Sequence, residues 1–205
     1  MTKKNSKIDT DEFISFVQEF DSETDQAAVI LGAAKLDTLL YQLISKLLLP
    51  STTSIDELLE GESPLGTFSS RINITYRLGL IDAAFAKALH LIRKIRNAFA
   101  HELSGCTLDS GAQRDRVKEL VLPFRDIPII KQFEEIFFEK PKHSGPSAEF
   151  RIILSVMIVG LEHAILRVKP ISNDKVFKLI LDHWKEWKEP ESSTTKLITE
   201  KAEKT

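Results

Sequence analysis

Apolar residues recur along most of the chain at helical spacing, and alternation of apolar and polar positions is never sustained. Phe13, Phe16, Val17 and Phe20 share one face of a first helix, opened by a capping box of Asp9 and Glu12. After the turn DSETD, a long helix over about 26–49 carries Val29, Ala33, Leu36, Leu40, Leu43, Ile44 and Leu47, and Pro50 stops it. Ser63 and Pro64 suit the start of a further helix that reaches Leu78, with Gly79 just beyond its end. Asp82 caps a helix over 83–102, and Ser110 with Gln113 forms a capping box for a helix ending at Pro123. A short helix over 128–139 leads to the loop KPKHSGPS. The most apolar helix runs over 148–168 to Pro170, with Arg151, Ser155 and Glu162 as a thin polar seam.

The pattern predicts an all-α protein, a single bundle of about seven helices over residues 9–170. Residues 1–8 are polar and expected to be disordered. An amphipathic helix over 171–189 is expected to pack on the bundle through Val176, Phe177, Ile180, Leu181 and Trp184. The Ser/Thr/Lys/Glu-rich tail, 190–205, reads as disordered. The segment 124–130 fits either a loop or a helical turn.

Charge narrows the function. Lys and Arg number 28 against 30 acids, a net charge of −2, so the whole chain lacks the basic footprint of a duplex-DNA reader and no sequence-specific DNA binding is expected. Cys106 is the only cysteine, which excludes an internal disulfide and the common zinc spacings; no metal or cofactor is expected. The N-terminus is polar, and the run 152–161 is far shorter than the roughly 20 residues of a membrane span. A cytoplasmic protein without membrane contact is the expectation.

The helix over 83–102 holds the densest chemistry, HLIRKIRNAFAH. On a helical wheel His90, Arg93, Lys94, Asn97 and His101 fall within an arc roughly 100° wide, as on a solvated face. Arg96 lies instead among Leu89, Ile92, Ala100 and Leu103. Asp37 is likewise alone on the apolar face of the helix over 26–49. Two isolated opposite charges on two apolar faces suggest a partly buried Asp37–Arg96 ion pair. Lys87, Arg93, Lys94 and Arg96 have no acid among them between 83 and 100, and Arg71 and Arg77 on the preceding helix extend a basic patch.

The blocks SPLGTFSSRINITYRLGLI (63–81), LHLIRKIRNAFAHE (89–102) and QRDRVKEL (113–120), preceded by AAVILGAAKLDTLLYQLI (27–44), resemble the mannitol operon repressor family of bacteria. The resemblance spans about residues 25–125. It implies an all-helical, non-enzymatic protein associated with transcription regulation, lacking a DNA-reading helix-turn-helix and acting through contacts with another protein. A broader resemblance is to HEPN domains, helical bundles that often dimerise, many of which are ribonucleases with an Arg and a His separated by four to six residues. Arg96, Asn97 and His101 fit that motif. It implies the alternative of a metal-independent ribonuclease acting on RNA in a toxin or defence setting, with His101 moving a proton and Arg96 or Arg93 at the phosphate. Arg96 and His101 point about 140° apart on one helix, so such a cleft needs two subunits.

A homodimer is expected through the helix over 150–168 or the motif helix. His163 reads as a core or interface residue, His143 and His183 have no metal-like partners, and Trp184 and Trp187 read as packing residues. The SPLG of 63–66 reads as turn chemistry rather than a phosphate loop.

Overall fold

The computed structural model describes residues 20–101, 106–127, 144–172, 182, 185 and 186. Among these the fold is all-α, with five helices: α1 (Asp25–Leu47), α2 (Phe68–Arg77), α3 (Ala83–His101), α4 (Gly111–Val121) and α5 (Gly145–Arg167). The chain divides into two compact units, Met1–Pro170 and Ile171–Thr205. In the second, Asp182 and Lys185 lie one turn apart with their charged atoms 3.4 Å from each other. The expected Asp9–Glu12 capping box, the helix over 128–139, most of the amphipathic helix over 171–189, and the tail lie outside the described residues.

Helix α1 is the axis of the first unit. Thr24 caps its N-terminus by accepting from the Ala27 amide. Its buried residues, Ala28, Val29, Ala33, Leu36, Leu39, Leu40, Leu43 and Ile44, face α5, α3 and α2. By length and a mean hydropathy of 1.4, α1 could cross a membrane, yet this face is the middle of the helical core. Gly32 permits its closest approach to α5: a Cβ there would lie 2.1 Å from Leu154 Cδ2.

The apolar character of α5 comes from burial within its own chain. Phe150, Ile152, Ile153, Leu154, Met157, Ile158 and Leu161 are all in the core, so this helix does not offer the apolar dimer face expected of it. Of its thin polar seam, Arg151 and Ser155 are fully buried, while Glu162 is half-buried and meets Lys35 at 3.1 Å. His163 is exposed rather than in the core.

Helix α2 begins at Phe68, four residues later than Pro64 suggests. Thr67 and Ser70 form a capping box there, and 61–66 are turns. Its end is as expected: Gly79 has φ +70°, its amide donates to Tyr76 O, and the Leu80 amide donates to Thr75 O, a Schellman closure. Asp82 then accepts from the Phe85 amide at 2.8 Å and opens α3. Helix α4 starts after Ser110, but no side-chain cap forms, since Gln113 is buried and accepts from Arg116. Residues 122–127 are turns.

Two arginines, Arg151 fully buried and Arg71 half-buried, tie the elements of this unit together. Arg151 Nη1 lies 2.9 Å from Asp25 Oδ1, and Nη2 donates to Glu23 O. Asp25 also accepts from Ser147 Oγ, from the Leu108 amide and from Thr107 Oγ1. One carboxylate therefore ties the start of α1, the loop 106–110 and the start of α5. Burial pushes the Asp25 carboxyl up, but the Ser147, Leu108 and Arg151 hydrogen bonds and the Arg151 charge outweigh it and hold the group below its ordinary value.

The second arginine is Arg71. Its Nη1 lies 2.8 Å from Asp37 Oδ1, Nε donates to Leu65 O, Nη2 donates to Leu59 O, and Cζ stands 5.2 Å from the centre of the Tyr41 ring. Asp37 is thus paired, but with Arg71 and not Arg96. Arg71 shares the inward face of α2 with Phe68, Ile72 and Thr75. Arg96 is only half-buried and makes no ion pair among the described residues. A long side chain can lay its stem on apolar neighbours and keep its guanidinium wet.

Candidate functional site

The Schellman turn at Gly79 folds α2 back along α3, and one contact sets their register: His90 Nε2 stands 3.0 Å from Asn73 Oδ1. From this pair the outer face of the hairpin runs both ways. Towards the turn lie exposed Tyr76, Arg77 and Leu78. Away from it lie half-buried Arg93, exposed Lys94, half-buried Asn97 and exposed His101. At 1.5 Å per residue the face is about 20 Å long.

Neither helix contains an acid: residues 63–81 and 83–101 have none. Among the described residues Arg77, Arg93, Lys94 and Arg96 make no ion pair, and Arg93 Nε is buried without a hydrogen-bond partner. Arg71, expected in this patch, belongs to the pair with Asp37 instead. Lys87 also leaves it, reaching Glu119 on α4 at 3.0 Å in an exposed pair. Burial, then the charges of Arg93 and Lys94, push the His90 imidazole below its ordinary value, so at neutral pH it is uncharged.

Arg96, Asn97 and His101 occupy the second half of α3. No hydrogen bond or ion pair engages any of them among the described residues. His101 is the last residue of the helix and exposed. The groove between α3 and α4, lined by Ala84, Ala88, Leu91 and Leu120, has only the Lys87–Glu119 pair at its rim and no converging groups for chemistry. Among the described residues no three His, Cys, Asp or Glu side chains gather as metal ligands.

The face can therefore bind negative charge and, through Tyr76 and Leu78, apolar surface. The sequence identified its residues apart from Tyr76 and Leu78. It did not reveal the Asp25–Arg151 centre, although a cation inside the most apolar helix was a signal that an acid must meet it.

No family model matches this chain, and no curated protein matches it in sequence. The fold is similar to that of a chain in the X-ray structure of the MtlR–HPr complex from Escherichia coli, with a TM-score of 0.53 and 17% sequence identity. The match covers 73% of this chain and 98% of that one, and at this identity the likeness is one of fold.

Proposed function

We propose that this chain is a cytoplasmic, non-enzymatic regulator of the mannitol operon repressor type, associated with transcription, which forms a homodimer and acts through contacts with another protein. The observation that carries the reading is the outer face of the α2–α3 hairpin. It sets Arg77, Arg93 and Lys94, none of them ion-paired among the described residues, beside exposed Tyr76 and Leu78. Tyrosine and arginine next to exposed apolar surface are enriched in energetic protein contacts, whereas a nucleic-acid groove is more uniformly basic. The fold likeness to a chain of the MtlR–HPr complex supports it.

Crosslinking in cells followed by mass spectrometry tests the proposal, with wild type beside an Arg77→Glu/Lys94→Glu variant. A partner captured by the first and lost by the second is expected. An identical partner set, or DNA binding that weakens steeply with salt, would refute it.

One observation favours a second reading, the HEPN-type ribonuclease. Arg96, Asn97 and His101 make no hydrogen bond or ion pair among the described residues, so their polar groups are available. Pure protein incubated with RNA in chelator, wild type beside His101→Ala, separates the two readings. Cleavage that disappears in the variant would establish the enzyme.

A further inference from the structure

The connection between α1 and α2 is long but well fastened. Asp56 Oδ1 accepts from the Leu58 and Leu59 amides, the Leu65 amide donates to Leu58 O, and Leu59 is buried. Arg71 grips the carbonyls of Leu59 and Leu65. A Cβ on Gly66 would meet Gly61 O at 2.3 Å, so the loop closes tightly on itself. Loops of this kind are frequently functional.

What this ordered loop presents is unusual for a connector. Ile55 is 64% exposed and Leu58 is 42% exposed, with Leu49 also outward. Around them Glu57, Glu60 and Glu62 are exposed and make no ion pair among the described residues. No Lys, Arg or His occurs between Lys46 and Arg71. The loop is thus an acidic surface with an apolar centre, fixed to α2. On the same hairpin lies its opposite, the cationic face with Tyr76 and Leu78 at its apolar end.

We propose that the loop 49–62 of one copy seats on the α2–α3 face of a second copy, and reciprocally, giving a two-fold dimer. A two-fold interface requires a surface complementary to itself, with each patch meeting its opposite across the axis. Joined acidic and basic patches, each with exposed apolar residues, meet that requirement. Ile55 and Leu58 against Tyr76 and Leu78 supply the buried centre, and Glu57, Glu60 and Glu62 against Arg77, Arg93 and Lys94 fix the register. Such a dimer covers the face a partner protein would use, so partner and second copy compete for it. The inference rests on the homodimer of the proposed reading.

Sedimentation velocity on the full chain, over a concentration series at low and high salt, tests it. Wild type should dimerise, less tightly as salt rises. Arg77→Glu/Lys94→Glu and Glu57→Lys/Glu60→Lys, all at exposed positions, should each weaken dimerisation tenfold or more while circular dichroism stays native. Mixed in equal amounts the two variants should regain a heterodimer, because each acidic loop then meets a basic face and each basic loop an acidic face. Ile55→Ser/Leu58→Ser should weaken dimerisation without that rescue. Wild type monomeric throughout would overturn both this inference and the proposed homodimer. A dimer indifferent to the reversals, or a mixture without rescue, would overturn this interface alone.

Discussion

Replacing Asp25 by Ala should be among the most damaging single changes in the first unit. The Arg151 side chain is 0% exposed and that of Asp25 is 16% exposed, so the pair is buried on one side and nearly so on the other. Asp25→Ala leaves the guanidinium with Ser147 and the Glu23 carbonyl but no counter-charge, and also frees the Leu108 amide. Removing one partner of a buried pair costs about 3–5 kcal/mol. A domain's whole stability is about 5–15 kcal/mol. With a urea m-value of about 2 kcal/mol/M, the unfolding midpoint should fall by about 2 M.

Arg151→Met should cost less, about 1–3 kcal/mol, because the carboxylate it strands retains the Ser147 and Leu108 hydrogen bonds and touches solvent. The double variant should then be more stable than the sum of the singles predicts, by about 1–2 kcal/mol. Urea unfolding followed by circular dichroism measures all three. A loss below about 1 kcal/mol for Asp25→Ala, or strict additivity, would refute the reasoning. Acid provides a second check. The folded Asp25 carboxyl sits below the ordinary value of 3.8, so its contribution is complete above that value and disappears as pH falls through the lower folded one. An Asp25→Asn variant should lose this part of the acid sensitivity.

The other expectations concern single elements. Arg71→Ala should cost about 2–4 kcal/mol in urea unfolding, since it strands Asp37 and releases two loop carbonyls, whereas Arg96→Ala should stay within about 0.5 kcal/mol. Equal costs would restore the pairing that the sequence suggested. Gly32→Ala should destabilise by about 1–3 kcal/mol, because its Cβ meets Leu154 Cδ2 where α1 and α5 touch, and a smaller side chain at 154 should recover part of that. The folded His90 imidazole binds its proton less readily than the unfolded one, so stability should decline as pH drops below the unfolded value of 6.5, until pH is below the folded one. His90→Gln should remove that slope in urea midpoints taken between about pH 7.5 and 5.

The helices were legible because their signals are local. Pro50, Gly79, Asp82 and the apolar faces act within a turn of where they stand, and the structure uses each as expected. The charge pairings were not, because a partner is chosen by tertiary geometry. Asp37 advertised its need for a cation, but four arginines on α2 and α3 could have met it. The same wheel that marked Arg96 also places Arg71 among Phe68, Ile72 and Thr75, so the winning residue carried the signal too. Arg151 was masked differently: one cation between Phe150 and Ile152 reads as a polar seam until α1 covers it. The capping box expected at Ser110 does not form, and Gln113 accepts instead from Arg116 on the next turn of its own helix.

Which arginines the fold uses bears directly on the hairpin. Arg71 and Arg151 each meet an acid on α1, and their presence follows from folding. On α3 the reverse holds. Lys87 precedes His90 by three, His90 precedes Arg93 and Lys94 by three and four, and Arg93 precedes Arg96 by three, with no acid interposed. Of these pairs only Arg93 and Arg96 set like charges at helical spacing, since His90 is uncharged and Lys87 meets Glu119, and such a pair destabilises a helix by about 0.2–0.5 kcal/mol. Arg93, Lys94 and Arg96 stay without an ion pair among the described residues. Cations left without an ion pair among the described residues, on one face of a helix that holds no acid, are the pattern that the proposed partner contact would use.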